Sequence, residues 1–72
     1  MRRNIDPIST RIIEILGKAG EPLETREIEL FLEDVTRVKT LYRLNMLRGD
    51  GAIRGKPVGS GKGTWIWWNN ES

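Results

Sequence analysis

The fold is decided by residues 36–53, which read TRVKTLYRLNMLRGDGAI. Residues 36–48 contain no glycine or proline, and Thr36 is a good N-cap, so this part favours a helix. Gly49 and Gly51 are strong signals for the end of that helix. We therefore predict a helix from about Thr36 to Arg48, followed by a strand that begins at Ala52.

A β-hairpin is predicted downstream of this helix. Residues 52–58 form its first strand, in which Gly55 and Pro57 suit the edge of a sheet. A glycine-rich tip at 59–63 leads to a second strand at 64–68, where aromatic and β-branched residues favour β-structure. Alternation places Trp65 and Trp67 on one face of that strand, and core packing is expected for at least two of the three tryptophans.

Two further helices are predicted upstream. Asp6-Pro7 marks the start of the first helix, which Gly17 and Gly20 end. Thr25 is the expected N-cap of the second helix, and the extended residues 21–23 could form a very short strand before it. Apolar residues at helical spacing give the core faces, with Ile8, Ile12, Ile15 and Leu16 in the first helix and Ile28, Phe31 and Leu32 in the second.

The joint between the second and third helices has two interpretations. Asp34 and Thr36 are both possible caps, which favours a turn at 33–36. No glycine or proline enforces the turn, and one continuous helix from Thr25 to Arg48 would keep most apolar residues in phase. We predict the turn, and with it a single α+β domain over residues 1–72 with loose ends at 1–4 and 69–72.

This order of helix, short strand, helix, turn, helix and hairpin resembles the winged helix-turn-helix domains. The resemblance is carried by PLETREI at 22–28, by Leu44 and Leu47 before RGDGAI at 48–53, and by WIWW at 65–68 after the glycine-rich tip. It implies three helices with a small C-terminal antiparallel β-hairpin, the wing. It also implies that the third helix enters the major groove of DNA.

Charge is distributed unevenly along the chain. The net charge is +2, but residues 1–35 hold five Lys and Arg against eight Asp and Glu, whereas residues 36–72 hold seven against two. A positive face concentrates anionic partners, and double-stranded DNA is the expected one. The other interpretation is that the two halves attract each other and the charges are simply solvated.

A basic, hydroxylated stripe is predicted on the third helix, because Thr36, Lys39, Thr40 and Arg43 are spaced to share one face. Lys and Arg can reach guanine or phosphate, and Thr can contact phosphate or a thymine methyl group. The hypothesis is a small transcriptional regulator that binds double-stranded DNA, sequence-specifically or generally. Its predicted DNA-binding residues are Thr36, Arg37, Lys39, Thr40, Arg43, Arg54, Lys56 and Lys62.

A protein–protein interaction module is the alternative hypothesis. Ile13 and Leu30 fall off the apolar faces of their predicted helices, and Trp67 is the candidate exposed tryptophan. Together they would form a surface for a homodimer or another protein partner.

Enzyme chemistry has no support in the composition. The chain contains no histidine and no cysteine, so the commonest general base, nucleophile partner and metal ligands are missing. Residues 59–64, GSGKGT, look like the end of a phosphate-binding loop, but an aromatic strand follows them rather than the required helix. We predict no catalytic residues, metal, cofactor or small-molecule substrate.

The sequence also predicts a cytoplasmic protein. No apolar run is long enough to cross a bilayer, and no leader-like segment opens the chain, so no membrane association is expected. The lack of glutamine and cysteine is typical of proteins from thermophiles.

Overall fold

The structure, a computed structural model, describes residues 7–59 and 63–70. In these residues the chain forms an α+β domain with three helices and a three-stranded antiparallel sheet. The elements in chain order are α1 (Pro7–Ala19), β1 (Leu23–Glu24), α2 (Thr25–Phe31), α3 (Arg37–Gly49), β2 (Ile53–Val58) and β3 (Thr64–Asn69). The predicted α+β class is therefore confirmed.

Helix α1 begins at Pro7, whose fixed φ suits the first turn of a helix. Ile12 and Leu16 are buried on its inner face, as their spacing predicts. The helix runs through Gly17 and ends at Ala19, because the left-handed φ of +69° comes only at Gly20. The predicted cap, Asp6, lies outside the described residues.

Helix α2 is capped by a different residue from the one predicted. Glu24 is the N-cap, and its backbone N–H donates to Oε1 of Glu27 at 2.7 Å. The Thr25 hydroxyl instead accepts a hydrogen bond of 2.8 Å from Nε1 of Trp67. This bond satisfies the indole N–H of a buried side chain and ties α2 to the sheet.

The core face of α2 is also narrower than predicted. Ile28 and Leu32 are fully buried, but Phe31 is 60% exposed, so its predicted core position is wrong. The physical reason is that α2 ends at Phe31. Leu32, outside helical geometry with φ −117° and ψ 52°, turns its side chain inward and fills the core position in place of Phe31.

A turn separates α2 from α3, so the single continuous helix is wrong. The N–H of Val35 donates to the carbonyl of Leu32 at 2.9 Å, which closes the turn. Thr36 is the N-cap of α3, and its Oγ1 accepts from the backbone N–H of Lys39 at 3.2 Å. The predicted start of the third helix is thus confirmed, and its end comes one residue later than predicted, at Gly49.

The sheet has the strand order β1-β3-β2, with both pairings antiparallel. Its inner face packs on the helices and carries Leu23, Ile53, Trp65 and Trp67. Its outer face carries the residues that alternate with these, among them Arg54, Lys56, Ile66 and Trp68. The predicted placement of Trp65 and Trp67 on one face is confirmed, since their rings stack with centroids 5.4 Å apart.

Trp67 is the largest buried side chain of the core, and Gly55 makes room for it. The two residues are direct cross-strand partners. A Cβ atom at position 55 would lie only 2.5 Å from Cε3 of Trp67. The other buried hydrophobic residues of the same core cluster are Ile12, Leu16, Leu23, Ile28, Leu32, Leu44, Leu47 and Ile53.

Candidate nucleic-acid interface

The buried face of α3 overturns part of the predicted basic stripe. Thr40, Leu44 and Leu47 are the buried residues of the helix, at spacings i, i+4 and i+7. Thr40 is completely buried, so its predicted contact with DNA is wrong. The cause is helical phase: the side of α3 that carries Leu44 and Leu47 also carries Thr40, and that side packs on the core.

The remaining members of the stripe have different environments. Thr36 caps the helix, and the Lys39 side chain is exposed with no ion pair to any described residue. Arg43 is half-buried; its guanidinium lies 5.5 Å from the ring centroid of Tyr42, and its Nη1 donates to Sδ of Met46 at 3.8 Å. The Arg43 side chain therefore packs against its helix neighbours Tyr42 and Met46.

The outward side of α3 carries a line of apolar residues that was not predicted from the sequence. Val38, Tyr42 and Met46, spaced at i, i+4 and i+8, are 75%, 59% and 39% exposed. We call these three residues the α3 ridge. The signal that could have found it is the position of Leu44 and Leu47, because residues opposite a buried pair on a helix must face outward.

Cations flank the α3 ridge on both sides. At about 100° per residue, Lys39 and Arg43 fall on one side of the ridge, and Arg37 and Arg48 fall on the other. The helix contains no acidic residue. Arg37 has an acidic partner, Glu29 of α2, at 3.4 Å between Nε and Oε2, and the Arg37 side chain is still 76% exposed.

Arg48 connects α3 to the sheet. Its guanidinium lies 5.1 Å from the ring centroid of Trp65, which in turn stacks on Trp67. Cation–π contact and ring stacking both favour a fixed orientation of β3 against α3. A groove next to this contact is lined by residues of α2, α3 and β3, including Arg26, Asn45 and Trp65.

Of the cations predicted to bind DNA from residues 52–64, only Arg54 lies beside a cation of α3 in the described residues. Arg54 and Lys56 are exposed on the outer face of the sheet. Arg54 lines a shallow depression together with Arg48, and its Nε donates to Oδ1 of Asn70 at 2.7 Å. Lys56 lines a separate groove with Ile66 and Trp68. Lys62 lies outside the described residues.

The predicted partner surface does not form as a unit. Trp67 is buried, so its predicted exposure is wrong; its strand face turns toward the helices. Ile13 is half-buried and packs against the core rather than facing outward. Leu30 is 67% exposed, and its neighbour Phe31 is exposed beside it.

Comparison with protein-family models, curated proteins and solved structures finds no match to this chain. Within residues 7–59 and 63–70, no helix has the length and apolar character needed to cross a membrane. A function must therefore be inferred from the chemistry of the described surfaces.

Proposed function

We propose that this chain is a double-stranded DNA-binding protein of the winged helix-turn-helix type, acting as a small transcriptional regulator in the cytoplasm. The observation that carries the proposal is the surface of α3. Four cations flank an exposed ridge on a helix that has no acidic residue. Such a helix is electrostatically complementary to a polyanion along its whole length.

The dimensions of a helix support insertion of α3 into the major groove. A helix with its side chains is about 10–12 Å across, and the major groove of B-DNA is about 12 Å wide. In that position the ridge faces the base edges. Lys39 then points toward one phosphate strand, with Arg43 behind it against Tyr42 and Met46, and Arg37 and Arg48 point toward the other strand.

The paired strands β2 and β3 take the role of the wing in this proposal. Arg54 lies in the same depression as Arg48, so the positive surface continues from the C-terminal end of α3 onto β2. A phosphate backbone that follows the groove edge would meet both guanidinium groups. Lys56 is a second exposed cation on the same strand.

Fluorescence anisotropy with a labelled duplex tests this proposal through one exposed lysine on α3. Lys39→Ala should weaken binding about threefold to tenfold, because a phosphate contact is lost. Lys18→Ala is the matched control: it removes one exposed lysine from the end of α1 and should leave the affinity unchanged. Equal affinities for the wild type and both variants, or no binding to duplex DNA, would contradict the proposal.

A protein-interaction surface is the second candidate function, and the exposure of Leu30 and Phe31 favours it. These two adjacent residues are 67% and 60% exposed at the C-terminal end of α2. Two large exposed apolar side chains side by side are typical of an interface. If they join two copies, sedimentation velocity should show a dimer that a Leu30→Ala/Phe31→Ala variant loses. A wild-type monomer at all concentrations would exclude the homodimer.

A further inference from the structure

We infer that the α3 ridge reads thymine methyl groups, so that the preferred DNA contains A·T pairs at the ridge. The inference rests on the proposed function and adds a specificity to it. It assigns Val38 and Tyr42, neither of which is basic, as residues that decide which sequence is bound.

The starting observation is an apolar surface in an unexpected place. On a helix with four cations, contact with phosphate alone would be served by polar residues on every outward position. The most exposed position of the ridge is nevertheless Val38, with Tyr42 one turn later and Met46 one turn after that. Scattered apolar residues on a surface are ordinary, but three on successive turns form a continuous apolar line.

The major groove offers one apolar group that such a line can contact. Each base pair presents hydrogen-bond donors and acceptors there, and thymine alone adds a C5 methyl group. Apolar side chains gain by burying that methyl group, whereas cytosine and guanine offer them only polar edges. The flanking cations would bind the phosphates and keep the helix in the groove. The apolar ridge would then contact methyl groups wherever thymine is present.

The length of the ridge sets how many bases it can reach. Residues 38–46 of a helix rise by about 12 Å. Base pairs are spaced about 3.4 Å apart along the duplex axis, so the ridge covers about three to four successive pairs. A helix lies in the groove at an angle, which makes this an upper bound on simultaneous contacts.

Two of the ridge side chains are held in place before DNA is bound. The Arg43 guanidinium contacts both the Tyr42 ring and Sδ of Met46. A side chain that is already ordered loses less entropy when it binds. The half-buried Arg43 therefore acts as a positioning residue for the ridge.

The one amide beside the ridge does not provide a competing readout of adenine. Asn45 could in principle form two hydrogen bonds to adenine. Its Nδ2, however, donates to the carbonyl of Leu41 at 2.9 Å, so the amide is turned along its own helix. Asn45 therefore does not compete with the contact to methyl groups that we assign to the ridge.

Replacing thymine by deoxyuridine tests the inference, because it deletes only the methyl group. The probes are one A·T-rich duplex and the same duplex with deoxyuridine at every thymine. The wild type should bind the thymine duplex about threefold to tenfold more tightly, as expected for one or two buried methyl groups. A Val38→Ala/Tyr42→Ala variant should bind both duplexes alike. Leu30→Ala, which truncates an equally exposed apolar residue on α2, should keep the wild-type preference.

Two outcomes would overturn the inference, and they are distinguishable. If the wild type binds both duplexes equally and with the same salt dependence, methyl reading is wrong while DNA binding stands. If it binds neither duplex, the proposed function fails as well. Val38 and Tyr42 are exposed, so their removal should not unfold the chain, and the circular dichroism spectrum of the variant checks this.

Discussion

At the scale of single residues, the packing of Trp67 over Gly55 leaves no room for a side chain at position 55. A Gly55→Ala substitution would put Cβ 2.5 Å from the indole ring, so the ring or the strand must move. We expect a loss of about 1–3 kcal/mol in the free energy of unfolding, as for other overpacked cores. Urea denaturation followed by tryptophan fluorescence measures it.

The matched control for this substitution is Gly49→Ala. Gly49 is also a glycine without positive φ, but nothing lies within 4 Å of the added atom. It is the last residue of α3, where alanine favours the helix by up to about 1 kcal/mol. Equal losses in the two variants would show that contact with Trp67 is not the cause.

Thr40 gives a second prediction at this scale. It is fully buried, and its Oγ1 has no hydrogen-bond partner among the described residues. Thr40→Val replaces the hydroxyl by a methyl group of similar size, so the free energy of unfolding should rise by about 1–2 kcal/mol. The affinity for DNA should stay the same, since the residue does not face outward. A weaker affinity in a variant that folds normally would restore Thr40 as a DNA contact.

These residues also mark what the sequence could and could not predict. The alternation along β3 correctly paired Trp65 with Trp67, because the period of a strand is fixed. Which strand face turns inward depends on contacts with residues distant in sequence, and so the burial of Trp67 was missed. For Thr40, its helical spacing from Lys39 and Arg43 suggested a polar face, but it shares the buried side of α3 with Leu44 and Leu47.

At the scale of elements, the N-cap of α3 determines where the candidate DNA-binding helix begins. This N-cap is Thr36, and its Oγ1 accepts a hydrogen bond from the backbone N–H of Lys39, a donor of the first turn that has no partner within the helix. Thr36→Ala should lower the free energy of unfolding by about 1 kcal/mol, whereas Thr36→Ser keeps the acceptor and should cost little. Thermal or urea unfolding of the two variants tests this. Identical stability for alanine and serine would contradict the capping role.

A salt bridge joins α1 to the turn between α2 and α3. Arg11 donates to both carboxylate oxygens of Asp34, at 2.9 and 3.1 Å. This hydrogen bonding lowers the pKa of the Asp34 carboxyl below its ordinary value. A lowered carboxyl pKa contributes stability at neutral pH that is lost as the pH falls through that pKa.

The pH dependence of stability provides the test of this bridge. Below a pH of about 4, where free Asp takes up a proton, the free energy of unfolding of the wild type should fall more steeply than that of Asp34→Asn. The difference should be small, since both side chains are largely exposed. Arg11→Gln should reduce the pH dependence of the free energy of unfolding in the same way. If the free energy of unfolding falls equally with pH in the wild type and both variants, the salt bridge does not stabilise the fold.

Most elements could be predicted from local signals. The start of α1 at Pro7, the cap at Thr36 and the end of α3 near Gly49 all depend on one or two residues with strong preferences. The N-cap at Glu24 and the exposure of Phe31 depend on where α2 stops, which packing decides. Pairing of β1 with β3 joins residues more than forty positions apart, beyond the reach of any local pattern.

At the scale of the whole molecule, the distribution of charge connects the fold to the proposed function. Residues 7–34 carry seven acidic residues, while α3 and β2 carry six cations, Arg37, Lys39, Arg43, Arg48, Arg54 and Lys56. The sequence showed this asymmetry directly. The fold adds that four of these cations flank an apolar ridge on one helix.

The most direct test of this account is the salt dependence of the affinity for duplex DNA. Each phosphate contact releases counterions, so the logarithm of the affinity should fall steeply with the logarithm of salt concentration, by about 0.9 per contact. Lys39→Ala should reduce that slope by about one, and Lys18→Ala should leave it unchanged. A flat response, or the same slope in the wild type and Lys39→Ala, would contradict DNA binding by α3.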